Sequence, residues 1–70
     1  MSSIAKVIEV IAQSEKSFDD AVEEALKEAA KSVENIQEVW VSGFKAIVQN
    51  NKIVEYRVTT KVTFLVRGHV

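Results

Sequence analysis

Apolar and polar residues alternate along the chain with two different periods. Residues 5–12 are rich in Val and Ile and are largely apolar on both faces, which predicts a first strand. Residues 36–48 and 53–66 also alternate with a period of two, and they predict a second and a third strand. Between the first two strands, apolar residues recur with the helical period. The pattern therefore predicts the order strand, helix, strand, strand.

The predicted helix is amphipathic and has recognisable ends. Ser17 and Asp20 have the spacing of a capping box with a shortened acid. Lys27 and Lys31 lie toward the other end, where cations are favoured by the helix dipole. Because the apolar stripe is rich in alanine, we expect the helix to lie close to the sheet that it covers. The stripe consists of Phe18, Ala21, Val22, Ala25, Leu26, Ala29 and Val33.

The connections define how the strands pair. Residues 49–52 read Gln-Asn-Asn-Lys, a hairpin connection, since Asn tolerates the left-handed conformation that such turns need. A crossing helix makes the first two strands run the same way, so a third strand in the middle makes every neighbouring pair antiparallel. We expect a single α+β domain over residues 1–70, a β-α-β-β subunit with one helix on a three-stranded antiparallel sheet. The other face of this sheet stays uncovered.

The alternation also predicts what the uncovered face carries. On the second strand we expect Trp40 to share its face with Ser42, Phe44 and Ala46, although Gly43 indicates a bulge that would reverse the facing beyond it. On the third strand the inward residues are expected to be Val54, Tyr56, Val58, Val62 and Phe64. The alternate row is polar and belongs with Trp40; it consists of Arg57, Thr59, Lys61 and Thr63. A large aromatic beside an arginine suggests a flat, conjugated ligand at a subunit interface.

Length and composition favour self-association. Seventy residues give a small core, and the chain has no cysteine for disulfides or thiolate metal sites. His69, the single histidine, is too isolated to build a zinc site. The net charge of −1 argues against a nucleic-acid partner, and no apolar stretch approaches a membrane span. We expect a cytoplasmic location because the first residues lack the features of a secretion signal.

No catalytic constellation is visible, so we expect a binding protein and not an enzyme. Trp40 either fills an oligomer interface or stacks on a planar heterocycle. Arg57 is either a solvated or intersubunit charge or a planar donor fork for carbonyl or phosphate oxygens. Lys45 and Lys61 would add to an anion-friendly rim, although each alone is also typical of ordinary surface.

Four segments together resemble the dodecin family. They are Lys6-Val7-Ile8-Glu9, the run 14–21, the segment 33–41 with its tryptophan, and the run 56–64 that begins Tyr-Arg-Val-Thr-Thr. The resemblance covers almost the whole chain. It implies a hollow homododecamer with helices outside and sheets facing inward, and a flavin store or scavenger that quenches flavin photochemistry. It also implies that riboflavin or FMN, or in some members coenzyme A, binds without being required for folding.

The resemblance implies a flavin site, and this chain differs from flavin-binding members of the family at one position of that site. Flavins would stack in pairs between symmetry-related copies of Trp40, with Val39 and Val41 flanking the ring and with Arg57 and Lys45 near the oxygens. Flavin-binding dodecins carry a glutamine where this chain has Arg57, and arginine only donates hydrogen bonds. Two functions therefore remain open: a flavin store, or a shell-forming relative that binds another anion such as coenzyme A.

Overall fold

The structure is a computed structural model that describes residues 3–66. These residues form β1 (Ile4–Ser14), α1 (Phe18–Ala30), β2 (Ile36–Gln49) and β3 (Lys52–Val66). The strand order in the sheet is β1-β3-β2, and β3 is antiparallel to both neighbours. The predicted β-α-β-β topology with the third strand in the middle is confirmed.

The start of α1 is fixed by a short chain of hydrogen bonds. Ser17 is the N-cap, and its Oγ accepts from the backbone N–H of Asp20 at 2.9 Å. The carboxylate of Asp20 does not reach back to Ser17 as in a full capping box. Instead, Asp20 Oδ2 accepts from Ser14 Oγ at 2.6 Å, which ties the helix start to the end of β1. Half of the predicted capping box is thus present.

Two asparagines close the β2–β3 hairpin. Asn50 and Asn51 have φ values of 52° and 63°, so both central residues of the turn are left-handed. This is the geometry of a type I′ turn, whose twist matches that of the flanking strands. The predicted hairpin connection is confirmed.

The core between α1 and the sheet is built from small side chains. Ala21, Ala25 and Ala29 are buried on the helix, and Val58 and Val62 are buried on β3. Thr60, between the two valines in this row, is also fully buried, and its Oγ1 donates to the carbonyl oxygen of Val10 at 2.7 Å. The hydrogen bond offsets the cost of burying the hydroxyl. The sequence placed the alanine stripe correctly but left Thr60 out of the inward row.

A β-bulge in β2 changes the face of the sheet to which the side chains after it point. The pairing of β2 with β3 shifts between Val41 and Gly43, as the glycine indicated. After this shift Phe44 lies opposite the buried Val58, and its ring packs edge-on against Phe18 with centroids 5.1 Å apart. The expectation that Phe44 and Ala46 share the face of Trp40 was wrong, because the extra residue in the bulge reverses the alternation.

The helical stripe also ends earlier than expected. Val33 lies beyond the last helical residue, Ala30, although its N–H still donates to the carbonyl oxygen of Ala29 at 3.0 Å. Leu26, which the stripe assigned to the core, is 41 % exposed. The fully covered contact of α1 with the sheet is therefore narrow and consists of alanines.

Candidate functional site: the open face of the sheet

The face of the sheet opposite α1, which we call the open face, carries large apolar side chains. Trp40 is 60 % exposed, and Val7 and Ile11 are exposed to a similar extent. Val7 and Ile11 lie opposite Thr63 and Thr59, so all of these residues share the face with Trp40. Large apolar side chains exposed on one face of a sheet are typical of an interface or a binding site.

Trp40 and Lys61 form the centre of this face. The two residues are direct partners in the β2–β3 register, and the Lys61 Nζ lies 5.2 Å from the centroid of the Trp40 ring. This is a cation–π contact. The pair borders a depression of about 550 Å³ that is lined by Val7, Glu38, Val39, Trp40, Lys61 and Thr63. The site thus combines a flat aromatic surface with an ammonium donor.

Arg57 lies in a second cluster on the same face. It pairs with Gln13 on β1 and with Lys45 on β2, and its Nε donates to Gln13 Oε1 at 2.8 Å. Arg57 is four residues from Lys61 along β3, which at about 3.3 Å per residue is about 13 Å. The expectation that an arginine lies beside the tryptophan does not hold within one subunit. The register places Lys61 there instead.

Two of the expected site residues lie on the other face of the sheet. Val39 and Val41 pair with Val62 and Thr60, which are buried beneath α1. Residues that are direct partners in a sheet point to the same side, so both valines face the helix. Val39 borders the depression beside Trp40, whereas Val41 does not. The structure therefore brings Trp40 and Val39 together at one position and Arg57 and Lys45 at another.

Arg57 and Lys45 place two positive charges directly opposite each other on neighbouring strands. Like charges directly opposite each other on neighbouring strands are destabilising unless something compensates them. The ion pairs formed within residues 3–66 are Lys27–Glu24 on α1 and Lys31–Glu28 at its C-terminal end, and both lie away from this cluster. Gln13 holds the guanidinium in place by its side-chain carbonyl, so the remaining donors of Arg57 stay available.

Sequence reasoning missed two residues of this face. Glu38 lines the depression beside Trp40, and Gln13 orients Arg57. Glu38 could have been predicted, because it lies two residues from Trp40 in the same strand and alternation places both on one face. Gln13 lies one residue past the predicted end of the first strand, and its partner follows only from the β1–β3 register.

Neither a metal cluster nor a membrane helix is found in the described part of the chain. Within residues 3–66, no three His, Cys, Asp or Glu side chains are grouped so that they could hold an ion. No helix in the same range is long and apolar enough to cross a membrane. His69 lies outside the described residues.

The fold is that of a small α+β subunit that exposes a tryptophan on the uncovered face of its sheet. The sequence matches the dodecin family over residues 4–67, and the chain belongs to this family. No curated protein is significantly similar to it.

Solved structures show the same fold. A protein from Thermus thermophilus is 22 % identical with a TM-score of 0.91, and the match covers 97 % of this chain and 100 % of that chain. The dodecin from Streptomyces davaonensis is 19 % identical with a TM-score of 0.90 and the same coverage. The calcium dodecin from Mycobacterium tuberculosis, described as calcium chelating, is 31 % identical with a TM-score of 0.81, and 97 % of each chain is covered.

Proposed function

We propose that this chain is a non-catalytic, cytoplasmic flavin-binding protein that stores or scavenges riboflavin or FMN within a homododecameric shell. The observation that carries the proposal is the ring of Trp40, which is 60 % exposed on the open face. An indole that projects from a sheet can stack on a planar heterocycle, and an aromatic pair contributes about 0.5–1.5 kcal/mol beyond the burial of area.

The neighbours of Trp40 suit an isoalloxazine ring. Lys61 is beside the indole and can donate to a carbonyl or phosphate oxygen, while Glu38 supplies an acceptor in the same depression. Glu38 can accept a hydrogen bond from the flavin N–H, which Arg57 cannot do because arginine only donates. In the proposed pose the flavin ring stacks on Trp40, and its polar edge contacts Lys61 and Glu38.

Assembly would cover the rest of the open face. Val7 and Ile11 are as exposed as Trp40, and the buried apolar core within residues 3–66 consists of three alanines and two valines. A core this small gives little stability to a chain of 70 residues. Members of the family assemble as multimers. We therefore expect open faces of neighbouring subunits to meet, which would bring two copies of Trp40 together.

A second ligand class is favoured by the Arg57–Lys45 cluster. Two cations in direct register, one of them held by Gln13, suit an anionic group better than the neutral edge of riboflavin. Coenzyme A, or the phosphate of FMN, has such a group. The alternative function is therefore a shell that binds coenzyme A or another anion at Arg57 and Lys45, with Trp40 buried in the subunit contact.

A titration with matched variants tests the flavin proposal. Trp40 is the only tryptophan, so its emission reports the site directly when riboflavin, FMN or coenzyme A is added. Trp40→Ala should weaken flavin binding, followed by flavin fluorescence, at least about tenfold, which is 1.4 kcal/mol. Leu26→Ala is the control, because Leu26 is also an exposed apolar residue but lies on α1, away from the open face.

Two outcomes separate the two functions, and a third tests the absence of catalysis. Flavin binding by Trp40→Ala with the affinity of the parent would exclude the stacking site. Coenzyme A binding that is lost in Arg57→Ala, without flavin binding by the parent, would support the alternative. Recovery of the bound flavin in chemically unchanged form is expected for a store, whereas steady conversion would contradict a non-catalytic role.

A further inference from the structure

Trp40 shares its part of the open face with one cation and two carboxylates. Lys61 on β3 is the direct partner of Trp40 on β2 and of Glu9 on β1, so these three residues form a row across the whole sheet. Glu38 lies two residues before Trp40 on the same face and lines the depression beside the indole. Side chains of both charges therefore surround the surface on which a ligand would stack.

The Lys61 ammonium contacts the indole and not a carboxylate. Its Nζ lies over the Trp40 ring, 5.2 Å from the centroid, and the ion pairs formed within residues 3–66 include neither Glu9 nor Glu38. Both glutamates are exposed, whereas Lys61 is half-buried. The carboxylates thus keep their contact with water, and a ligand that approaches this face of the ring meets a cation there.

We propose that Lys61 sets the charge selectivity of the Trp40 site, which admits planar ligands with oxygen acceptors at their edge and excludes planar cations. A neutral or anionic heterocycle can draw the ammonium away from the ring, because its carbonyl or phosphate oxygens accept a charge-assisted hydrogen bond from Lys61. A planar cation without such oxygens offers no acceptor and meets a like charge at close range. The inference rests on the flavin site proposed above and names the ligand property that this site distinguishes.

The two carboxylates make the role of Lys61 decisive. Of the residues within 3–66 that line the depression, Lys61 is the only cation. Without its ammonium, the site would be an exposed indole with Glu38 and Glu9 nearby. An aromatic ring beside negative charge is the chemistry that binds organic cations. A single side chain therefore separates a site for oxygen-bearing heterocycles from a site for planar cations.

The test compares two planar tricyclic ligands on the full chain. Riboflavin is neutral and proflavine is a cation at neutral pH, and the binding of each is followed by its own fluorescence. Lys61→Met and Lys61→Gln both remove the ammonium, so the ratio of riboflavin affinity to proflavine affinity should fall at least about tenfold. Lys61→Arg keeps the positive charge and should keep the ratio of the parent protein.

Two controls separate a local effect from a general one. Lys52→Met removes the same charge at the hairpin end of β3, nine residues or about 30 Å from Lys61, and should leave the ratio unchanged. Adding Trp40→Ala to Lys61→Met should abolish the gain in proflavine binding, because the cation is expected to stack on the indole. Circular dichroism and light scattering check that each variant keeps the fold and the assembly mass of the parent.

The outcomes distinguish this inference from the proposed function. An unchanged ratio in a folded neutral variant overturns the selectivity, as does a gain in proflavine binding that persists after Trp40→Ala. The parent alone also decides, since binding of proflavine as tight as that of riboflavin would contradict the role of Lys61. A parent that does not bind riboflavin overturns the flavin function, whereas proflavine binding that appears only when Lys61 is neutralised still supports the charge selectivity.

Discussion

Replacing Phe18 with leucine tests how the helix is anchored to the sheet. The Phe18 ring meets two other rings edge-on, Phe44 at 5.1 Å and 87° and Tyr56 at 5.0 Å and 75°. Such pairs contribute about 0.5–1.5 kcal/mol each beyond area burial, so Phe18→Leu should cost about 1–3 kcal/mol from the lost ring contacts. The volume lost from this half-buried site adds to the cost.

A double-mutant cycle isolates one of these contacts. Phe18→Leu, Tyr56→Leu and the double variant are unfolded in urea, and the coupling energy between the two sites should be about 0.5–1.5 kcal/mol. All variants must be compared at one protomer concentration and one assembly mass, because association adds to the apparent stability. Leu26→Ala, two helical turns away on α1, is the control that should add to Phe18→Leu without coupling. A Phe18–Tyr56 coupling near zero would refute the anchoring role of the aromatic contact.

Three further changes test the fold at other positions. Ser17→Ala removes the acceptor for the Asp20 N–H and should cost about 1 kcal/mol in urea unfolding, whereas Ser17→Asp should restore most of the loss. Ala25→Leu should destabilise by about 1–3 kcal/mol, because Ala25 is fully buried where α1 meets the sheet; a neutral effect in thermal unfolding would show that the contact is loose. Asn51→Val should cost about 1–2 kcal/mol, since a branched side chain resists the φ of 63°, and Asn51→Gly should fold at least as well by the same thermal measurement.

The elements of the fold follow from short-range signals in the sequence. The alanine stripe, the Ser17 cap and the Asn-Asn turn each depend on residues close in the chain, and the structure has all three. The central position of β3 follows from the connections alone, because a crossing helix and a tight hairpin leave that arrangement as the one with antiparallel neighbours throughout.

The facing of individual side chains depends on the register, which the sequence does not encode locally. Gly43 marked the bulge, but only the observed pairing shows that Phe44 moves to the helix side. Thr60 reads as polar, and its burial makes sense only when Val10 is known to lie opposite and to accept its hydrogen bond.

In the candidate site, too, the sequence predicts which residues matter, whereas the strand register decides which of them are neighbours. Trp40 stood out as the single tryptophan in a strand, and its exposure on the open face agrees with that reading. The polar row of β3 also lies on this face, as expected. The β2–β3 register determines which residue of this row lies beside the indole. That residue is Lys61, where Arg57 was expected.

The central claim, a self-assembled shell that binds flavin at Trp40, is tested most directly by one titration. Riboflavin and FMN are added to the purified protein while tryptophan emission, flavin emission and light scattering are followed together. We predict a mass of about twelve subunits of 7.8 kDa and mutual quenching that saturates near one flavin per subunit. A large assembly whose tryptophan emission ignores both flavins would contradict the flavin site, and a monomer would contradict the shell.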